Sequence, residues 1–197
     1  MVGPSYRKIS DLTEIEFDAA RAYGSESGFF HLACQADHSM ALSEFNPYQE
    51  FVCSGKLAAL KSATSSRYEL AADATLFSGH GNGVGVVGGL GHSQPDAFVG
   101  MTWQYRGFTS TSARKDKAED FVRTRAKSPL DTPAFLEFRL PAGFRLLPMD
   151  VLGADSTYEA EFLLTPNLAF KVVEAVRGTF GGVGGVLHLV LNEAQAP

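Results

Sequence analysis

Two carboxylates that are two residues apart, Glu159 and Glu161, begin an apolar run that ends at Leu164. In a β-strand, residues i and i+2 lie on the same face, roughly 6.6 Å apart at ~3.3 Å per residue. Both acids would then border one pocket, where one could bind a sugar hydroxyl and the other could direct a nucleophile. A carboxylate there can stabilise the oxocarbenium-like cation that forms when a glycosidic bond is cleaved. The pair alone also fits two solvated acids at a strand edge.

A cluster of hydroxyl side chains lies upstream of these acids, in Ser110, Thr111 and Ser112, shortly after Phe108. Short hydroxyl groups can hold a carboxylate in position by hydrogen bonding. Ser112 also fits the role of a helix cap, because a charged amphipathic segment follows it. The two roles are compatible, since different residues of the cluster would carry them.

The hydroxyl cluster followed by the Glu-x-Glu pair resembles the ADP-ribosyltransferase family. The match is to the arginine–serine–glutamate class, typified by cholera-toxin-like and clostridial mono-ADP-ribosyltransferases. The resemblance implies that Glu161 is the catalytic glutamate and that Glu159 directs the acceptor. It implies that Ser110 hydrogen-bonds the catalytic glutamate and lines the nicotinamide-ribose pocket. Thr111 and Ser112 would complete the motif that borders NAD⁺.

The first motif of that class, an aromatic-Arg-Gly at the end of a core strand, is altered here because Ser78 occupies the arginine position. The resemblance implies that Ser78, Gly79 and His80 border NAD⁺, but serine cannot supply the positive charge that grips the dinucleotide phosphate. Arg67 or Arg106 could supply it. His80 is also similar to the histidine of the diphtheria-toxin-like class, which holds the adenosine-side ribose, and it fits an ordinary loop residue equally well.

Other chemistries find less support in the sequence. Residues 83–88 satisfy G-x-G-x-x-G, but further glycines follow them where a dinucleotide-binding loop would open into a helix, so we interpret them as a flexible loop. The chain lacks the G-x-S-x-G nucleophile elbow. A conventional glycosidase would need acids that flank the bond, and two acids on one strand lie on the same side of it.

Cys34 and Cys53 have neither a CxxC spacing nor clustered histidines, which favours reduced, partly buried thiols over a disulfide or a zinc site. No metal is expected.

The elements that must position these residues are helical first and extended later. We predict a first helix that begins at a Ser10 or Asp11 cap and ends at Gly24, followed by helices over residues 29–41 and 48–62. Another helix, capped by Ser112, is predicted over 113–125. Strands are predicted over residues 74–77, 99–108, 135–140, 145–148, 160–165, 169–175 and 187–191. The glycine-rich segment 178–185 is expected to be a hairpin-like linker before the last strand. Helices followed by clustered strands indicate the α+β class.

The resemblance covers roughly residues 72–193 and implies an ADP-ribosyltransferase-like split core of two perpendicular antiparallel sheets, with the NAD⁺ cleft between them. We therefore divide the chain into a helical N-terminal region, 1–71, and a catalytic core, 72–197, within what we expect to be one compact domain.

Charge and hydropathy limit the partners. The net charge of −5 argues against a general electrostatic grip on nucleic acid or on an anionic membrane. No apolar run approaches the ~18 residues of a transmembrane helix, and residues 1–16 lack the apolar region of a Sec signal. We expect a cytoplasmic protein, or an effector exported without a Sec signal.

The resemblance implies that NAD⁺ is a substrate, that nicotinamide is released and that ADP-ribose is attached to an acceptor. In the family, Glu-x-Glu goes with arginine acceptors, so arginine on a target protein is favoured and a nucleic-acid target is left open. A toxin or effector role, with an immunity or activator protein as a further partner, fits such compact transferases. Two alternatives stay open: an NAD⁺ glycohydrolase that uses water as acceptor, and a catalytically inactive ADP-ribosyltransferase-like binding protein.

Overall fold

The computed structural model describes residues 4–24, 34, 47–81, 94–104, 107–127, 132–153 and 160–193. The helices are α1 (Glu14–Gly24), α2 (Pro47–Ser66) and α3 (Lys115–Arg125). The strands are β1 (Tyr6–Lys8), β2 (Tyr68–Leu70), β3 (Ala74–His80), β4 (Thr102–Gln104), β5 (Thr109–Ser112), β6 (Ala134–Leu140), β7 (Arg145–Pro148), β8 (Glu161–Leu164), β9 (Ala169–Phe180) and β10 (Val183–Glu193). Short 3-10 helices occupy Pro95–Phe98 and Met149–Leu152. None of the described helices is long and apolar enough to cross a membrane.

The strands form one mixed sheet in the order β1-β2-β7-β8-β5-β3-β6-β10-β9-β4. Its two five-stranded halves meet at β5 and β3, whose only ladder pair is Phe77 with Ser112. We call this contact the β3–β5 junction. The strands β6 and β10 run parallel, and the other pairs are antiparallel. The α+β class is thus confirmed. The two separate antiparallel sheets that were expected correspond to the two halves of this one mixed sheet.

Apolar side chains fill the space on both faces of this sheet. One cluster packs α1 and α2 against one half, and it includes Leu57, Leu60, Phe108, Leu147 and Leu163. A second cluster, rich in phenylalanine and leucine, links β3, β6, β9 and β10. A third seats α3 on the sheet through Ala118 and Val122. The residues of β5 and β8 therefore lie between packed layers, which fixes the backbone of the candidate site.

The N-terminal region contains more than helices, because β1 and β2 belong to the sheet. The predicted cap of α1 was wrong as well. Glu16 Oε2 accepts hydrogen bonds from the Thr13 amide, at 2.8 Å, and from Thr13 Oγ1, at 3.0 Å, and Thr13 Oγ1 accepts one from the Glu16 amide. This reciprocal capping box starts the helix after Thr13 and not after Ser10 or Asp11. The predicted helix over 29–41 lies outside the described residues except for Cys34.

Several strand boundaries differ from the predictions. The strand predicted over 99–108 contains only Thr102–Gln104 among the described residues, because Gly100 adopts φ +86 in a turn. The predicted linker 178–185 is mostly strand, since only Gly181 and Gly182 form the turn between β9 and β10. Helix α3 begins at Lys115 and has Arg114 as its N-cap, so Ser112 is not its cap.

Both cysteines are free and fully buried, where partly buried thiols were predicted. Burial, together with the nearby Cys53 thiol, raises the pKa of Cys34 to about 12, so this thiol stays protonated at neutral pH.

Candidate functional site

The β5–β8 ladder brings the hydroxyl cluster to Glu161. Ser112 pairs with Glu161, and Ser110 pairs with Leu163, in antiparallel register. Because opposed residues and i, i+2 neighbours share a face, Ser110, Ser112 and Glu161 lie on the same side of the sheet. Ser110 Oγ donates a hydrogen bond of 2.5 Å to Glu161 Oε1. That length is typical of a hydroxyl bound to an ionised carboxylate, so the bond fixes one oxygen of the acid.

Glu161 is the first residue of β8, and Ala160 directly before it is not extended. Ala160 has φ 45, in the left-handed region, and its carbonyl accepts a hydrogen bond of 3.0 Å from the Ala113 amide. Strand β8 begins at Glu161, and the expectation that Glu159 and Glu161 share a strand face at i, i+2 spacing stays a prediction. Glu159 itself lies outside the described residues.

Two residues of β3, Ser78 and His80, are linked to β5 across the β3–β5 junction. Ser78 Oγ donates a hydrogen bond of 2.8 Å to the Ser110 carbonyl oxygen and lies 3.1 Å from His80 Nε2. Ser78 is buried, with 6% of its surface exposed, and His80 is half-buried. Desolvation lowers the pKa of His80 to about 4, so its ring is neutral near neutral pH.

The other residues predicted to border NAD⁺ have structural contacts. A Cβ on Gly79 would lie 1.9 Å from the Ala118 carbonyl oxygen, so this glycine lets α3 approach β3 closely. Thr111 Oγ1 donates a buried hydrogen bond of 2.7 Å to the Phe162 carbonyl. Ser112 Oγ accepts a hydrogen bond of 3.0 Å from the Arg114 amide. The structure thus brings Ser110 and Glu161 together and links Ser78, with His80 beside it, to the main chain of Ser110. It gives Gly79 and Thr111 packing and ladder contacts, and Ser112 a contact with the chain that enters α3.

Arg67, one candidate for the missing positive charge, is engaged elsewhere. Its guanidinium donates hydrogen bonds of 2.9 to 3.0 Å to both carboxylate oxygens of Glu16 and one of 2.8 Å to Ser10 Oγ. This arrangement ties the start of α1 to the end of α2. The other candidate, Arg106, lies outside the described residues.

A search of the described residues finds no cluster of three or more histidine, cysteine, aspartate or glutamate side chains that could hold a metal ion.

The fold was compared with those of known proteins. No protein-family model and no curated protein sequence matches this chain. The solved structures similar to it include Plx2a, an ADP-ribosyltransferase toxin from Paenibacillus larvae, with a TM-score of 0.67 and 16% identity over 93% of this chain and 88% of that one. The chain has the fold of the ADP-ribosyltransferase toxins.

Two further solved structures with this ADP-ribosyltransferase fold contain a small molecule. Vis, from Vibrio splendidus, was solved with agmatine and matches with a TM-score of 0.68 and 17% identity, over 96% of this chain and 78% of Vis. The toxin BECa of a C. perfringens binary enterotoxin was solved with NADH and matches with a TM-score of 0.68 and 14% identity, over 93% of this chain and 44% of BECa.

One feature of the candidate site was missed by the sequence reasoning, which is the hydrogen bond from Ser78 to the Ser110 carbonyl. It joins residues 32 apart on strands that share a single ladder pair. No local pattern predicts such a bond, because it depends on how the two halves of the ADP-ribosyltransferase fold meet.

Proposed function

We propose that this chain is a mono-ADP-ribosyltransferase that cleaves NAD⁺ and transfers ADP-ribose to a guanidinium group, such as an arginine side chain of a target protein. The observation that carries the proposal is the hydrogen bond of 2.5 Å between Ser110 and Glu161. It supports the proposal because it holds a carboxylate at a strand end, on the fold of the ADP-ribosyltransferase toxins. A binding protein without catalysis would not need a glutamate oriented in this way.

In the proposed reaction, the Glu161 carboxylate, held by Ser110 at Oε1, binds a hydroxyl of the nicotinamide-side ribose. The bond between the ribose C1′ and the nicotinamide nitrogen breaks, and the electron pair stays on that nitrogen, which neutralises the pyridinium. The positive charge moves to the sugar, where the nearby carboxylate stabilises it. A guanidinium nitrogen then forms a bond to C1′ and loses a proton. Ser110 holds the carboxylate in the orientation that this charge requires.

The proposed acceptor rests on two observations. The sequence resembles the Glu-x-Glu pattern that goes with arginine acceptors, in which Glu159 would accept the proton of the attacking nitrogen. The structurally similar Vis was solved with agmatine, a small compound with a guanidinium group. We propose a toxin or effector role for the same reason of similarity, with NAD⁺ and a target protein as partners.

Nicotinamide release from NAD⁺ tests the proposal, with wild type compared with Glu161→Gln. We expect the substitution to lower the rate by at least about 100-fold, because the neutral amide cannot stabilise the sugar cation. Glu174→Gln is the matched control, since Glu174 is an exposed acid of β9 whose only described partner in an ion pair is Arg139, at 3.4 Å. If Glu161→Gln releases nicotinamide at the wild-type rate, Glu161 is not the catalytic glutamate.

Agmatine separates transfer from hydrolysis in the same assay. We expect ADP-ribosyl-agmatine to form together with nicotinamide, and we expect Glu159→Gln to abolish this product while nicotinamide release continues. Equal loss of both activities would mean that Glu159 does not direct the acceptor. Nicotinamide release without any labelled acceptor, with agmatine and with a cell lysate, would instead identify an NAD⁺ glycohydrolase.

A further inference from the structure

The β3–β5 junction is the place where the two halves of the sheet are most weakly joined. β3 forms seven ladder pairs with β6, and β5 forms four with β8, yet β3 and β5 share only one. Ser110 lies on one side of this junction and Ser78 on the other. The position of the Ser110–Glu161 pair relative to the other half of the sheet therefore depends on few main-chain hydrogen bonds.

The Ser78 side chain adds a hydrogen bond across this junction. Its hydroxyl donates to the carbonyl oxygen of Ser110, at 2.8 Å, and so binds the main chain of the residue whose own hydroxyl holds Glu161. Ser78 is buried, so this bond does not compete with bulk water. Losing a buried donor of this kind leaves the carbonyl without that partner and loosens the strand contact.

Counting protons defines the contact between Ser78 and His80. A carbonyl oxygen can only accept, so the single hydroxyl proton of Ser78 points to Ser110. The 3.1 Å contact then requires His80 Nε2 to donate its proton to Ser78 Oγ. The low pKa of His80 agrees with a neutral ring that carries this one proton on Nε2. His80 thereby orients the Ser78 hydroxyl toward Ser110.

We infer that Ser78 is a positioning residue, oriented by His80, whose hydroxyl fixes the main chain of Ser110 so that the Ser110 hydroxyl meets Glu161. The inference rests on the proposed function for its catalytic consequence. Ser78 would then have a positioning role at the place in the motif where the arginine–serine–glutamate class has an arginine.

The kinetic test uses nicotinamide release by Ser78→Ala and Ser78→Thr beside wild type. We expect Ser78→Ala to lower kcat about 10- to 100-fold, with a much smaller change in KM for NAD⁺, because a misplaced carboxylate affects the transition state more than binding. Ser78→Thr keeps the hydroxyl on a strand position and should restore most of the rate. Thr64→Val is the matched control, because it removes another buried hydroxyl that donates to a carbonyl, that of Leu60, within α2.

A second measurement, hydrogen exchange at the amides of residues 107–114, does not depend on activity. We expect exchange there to be at least about threefold faster in Ser78→Ala than in wild type, and unchanged in Thr64→Val. If wild type releases nicotinamide and Ser78→Ala matches both its kcat and its exchange, the inference is overturned. The same holds if Thr64→Val loses as much kcat as Ser78→Ala, or if Ser78→Thr fails to recover while its fold is intact. If wild type releases no nicotinamide, the proposed function fails, and the exchange measurement alone decides whether Ser78 fixes Ser110.

Discussion

Ser110 has two hydrogen-bonding groups that serve different purposes at the residue scale. Its hydroxyl donates to Glu161, and its carbonyl accepts from Ser78. The neighbouring Thr111 hydroxyl points to the Phe162 carbonyl instead. The side chains of Ser110 and Thr111 thus lie on opposite faces of the sheet, as the period of two in a strand requires. One short strand therefore carries both a chemical group and the contacts that hold it.

Removing the Ser110 hydroxyl should reduce nicotinamide release. We expect Ser110→Ala to lower kcat about 10- to 100-fold, since hydrogen bonds to charged groups contribute about 1.5–3 kcal/mol. Ser110→Thr keeps the hydroxyl and should lose less. Ser65→Ala is the control, because Ser65 also has a hydroxyl bound to a carbonyl but lies exposed near the end of α2. A kcat for Ser110→Ala within twofold of wild type would show that Glu161 does not need this bond.

The sequence was sufficient to propose the meeting of Ser110 and Glu161, because both residues stand in motifs with a known order along the chain. It could not supply the geometry before Glu161, because the left-handed conformation of Ala160 is not encoded in the alternation of side chains. Nor could it supply the contact of Ser78, whose partner is a main-chain atom. Main-chain partners leave no trace in residue types.

At the scale of elements, glycines at the end of β3 leave room for α3 to pack closely against the strand. A Cβ on Gly79 would lie 1.9 Å from the Ala118 carbonyl oxygen, and one on Gly81 would lie 2.2 Å from the Arg125 carbonyl carbon. Such distances are far inside van der Waals contact, so the helix rests directly on the strand backbone. The strand that carries Ser78 and His80 is fixed from its other face by this packing.

Gly79→Ala should therefore destabilise the protein, by about 3 kcal/mol, because the added methyl must push a helix backbone away from the sheet. Gly55→Ala is the matched control, since a Cβ at Gly55 within α2 meets nothing within 4 Å. That substitution should stabilise the helix by about 0.5–1 kcal/mol. Urea denaturation measures both effects. Equal stability of the Gly79→Ala and wild-type proteins would mean that α3 does not pack as closely as described.

The predictions for elements were best where a strand has alternating apolar residues. The strand over 135–140 was predicted almost to the residue, as β6, because its buried Leu136, Phe138 and Leu140 alternate with the charged Glu137 and Arg139. The strands β9 and β10 were predicted too short, because Gly178 and Gly185 suggested a linker although both lie within strands. The strands β1 and β2 were missed because each has three residues, and their pairing with each other and with β7 defines them.

At the scale of the whole molecule, the ion pair of Glu16 and Arg67 ties the N-terminal region together. Glu16 is buried, which raises its pKa, but hydrogen bonds from Arg67, Ser62 and Thr13 outweigh this and lower the pKa to about 2, from the ordinary 4.5. The Glu16 carboxylate thus binds a proton less tightly in the folded state than in the unfolded state. The stabilisation is complete above the unfolded pKa and is lost as the pH falls from about 4.5 to about 2.

Arg67→Ala should cost about 3–5 kcal/mol of unfolding free energy at neutral pH, since it leaves a buried carboxylate without its charged partner. The loss of stability between about pH 5 and pH 3 should also be smaller in this variant than in wild type, because the carboxyl no longer titrates abnormally low. Denaturation midpoints across this pH range measure both effects. Arg139→Ala is the control, because Arg139 forms exposed ion pairs with Glu137 and Glu174, which contribute little. Identical pH profiles for Arg67→Ala and wild type would contradict this account.

The separation along the chain of the residues in the site has a consequence for how activity arises during folding. The bond from Ser78 to Ser110 spans 32 residues, and the bond from Ser110 to Glu161 spans 51. Contacts between residues so far apart in sequence form slowly, because the chain loses conformational entropy on closing a long loop before the new contacts stabilise it. A chain in which only the helices had formed would have no oriented glutamate. Catalytic competence should therefore arrive in the final, cooperative step of sheet assembly, which makes turnover itself a reporter of the completed fold.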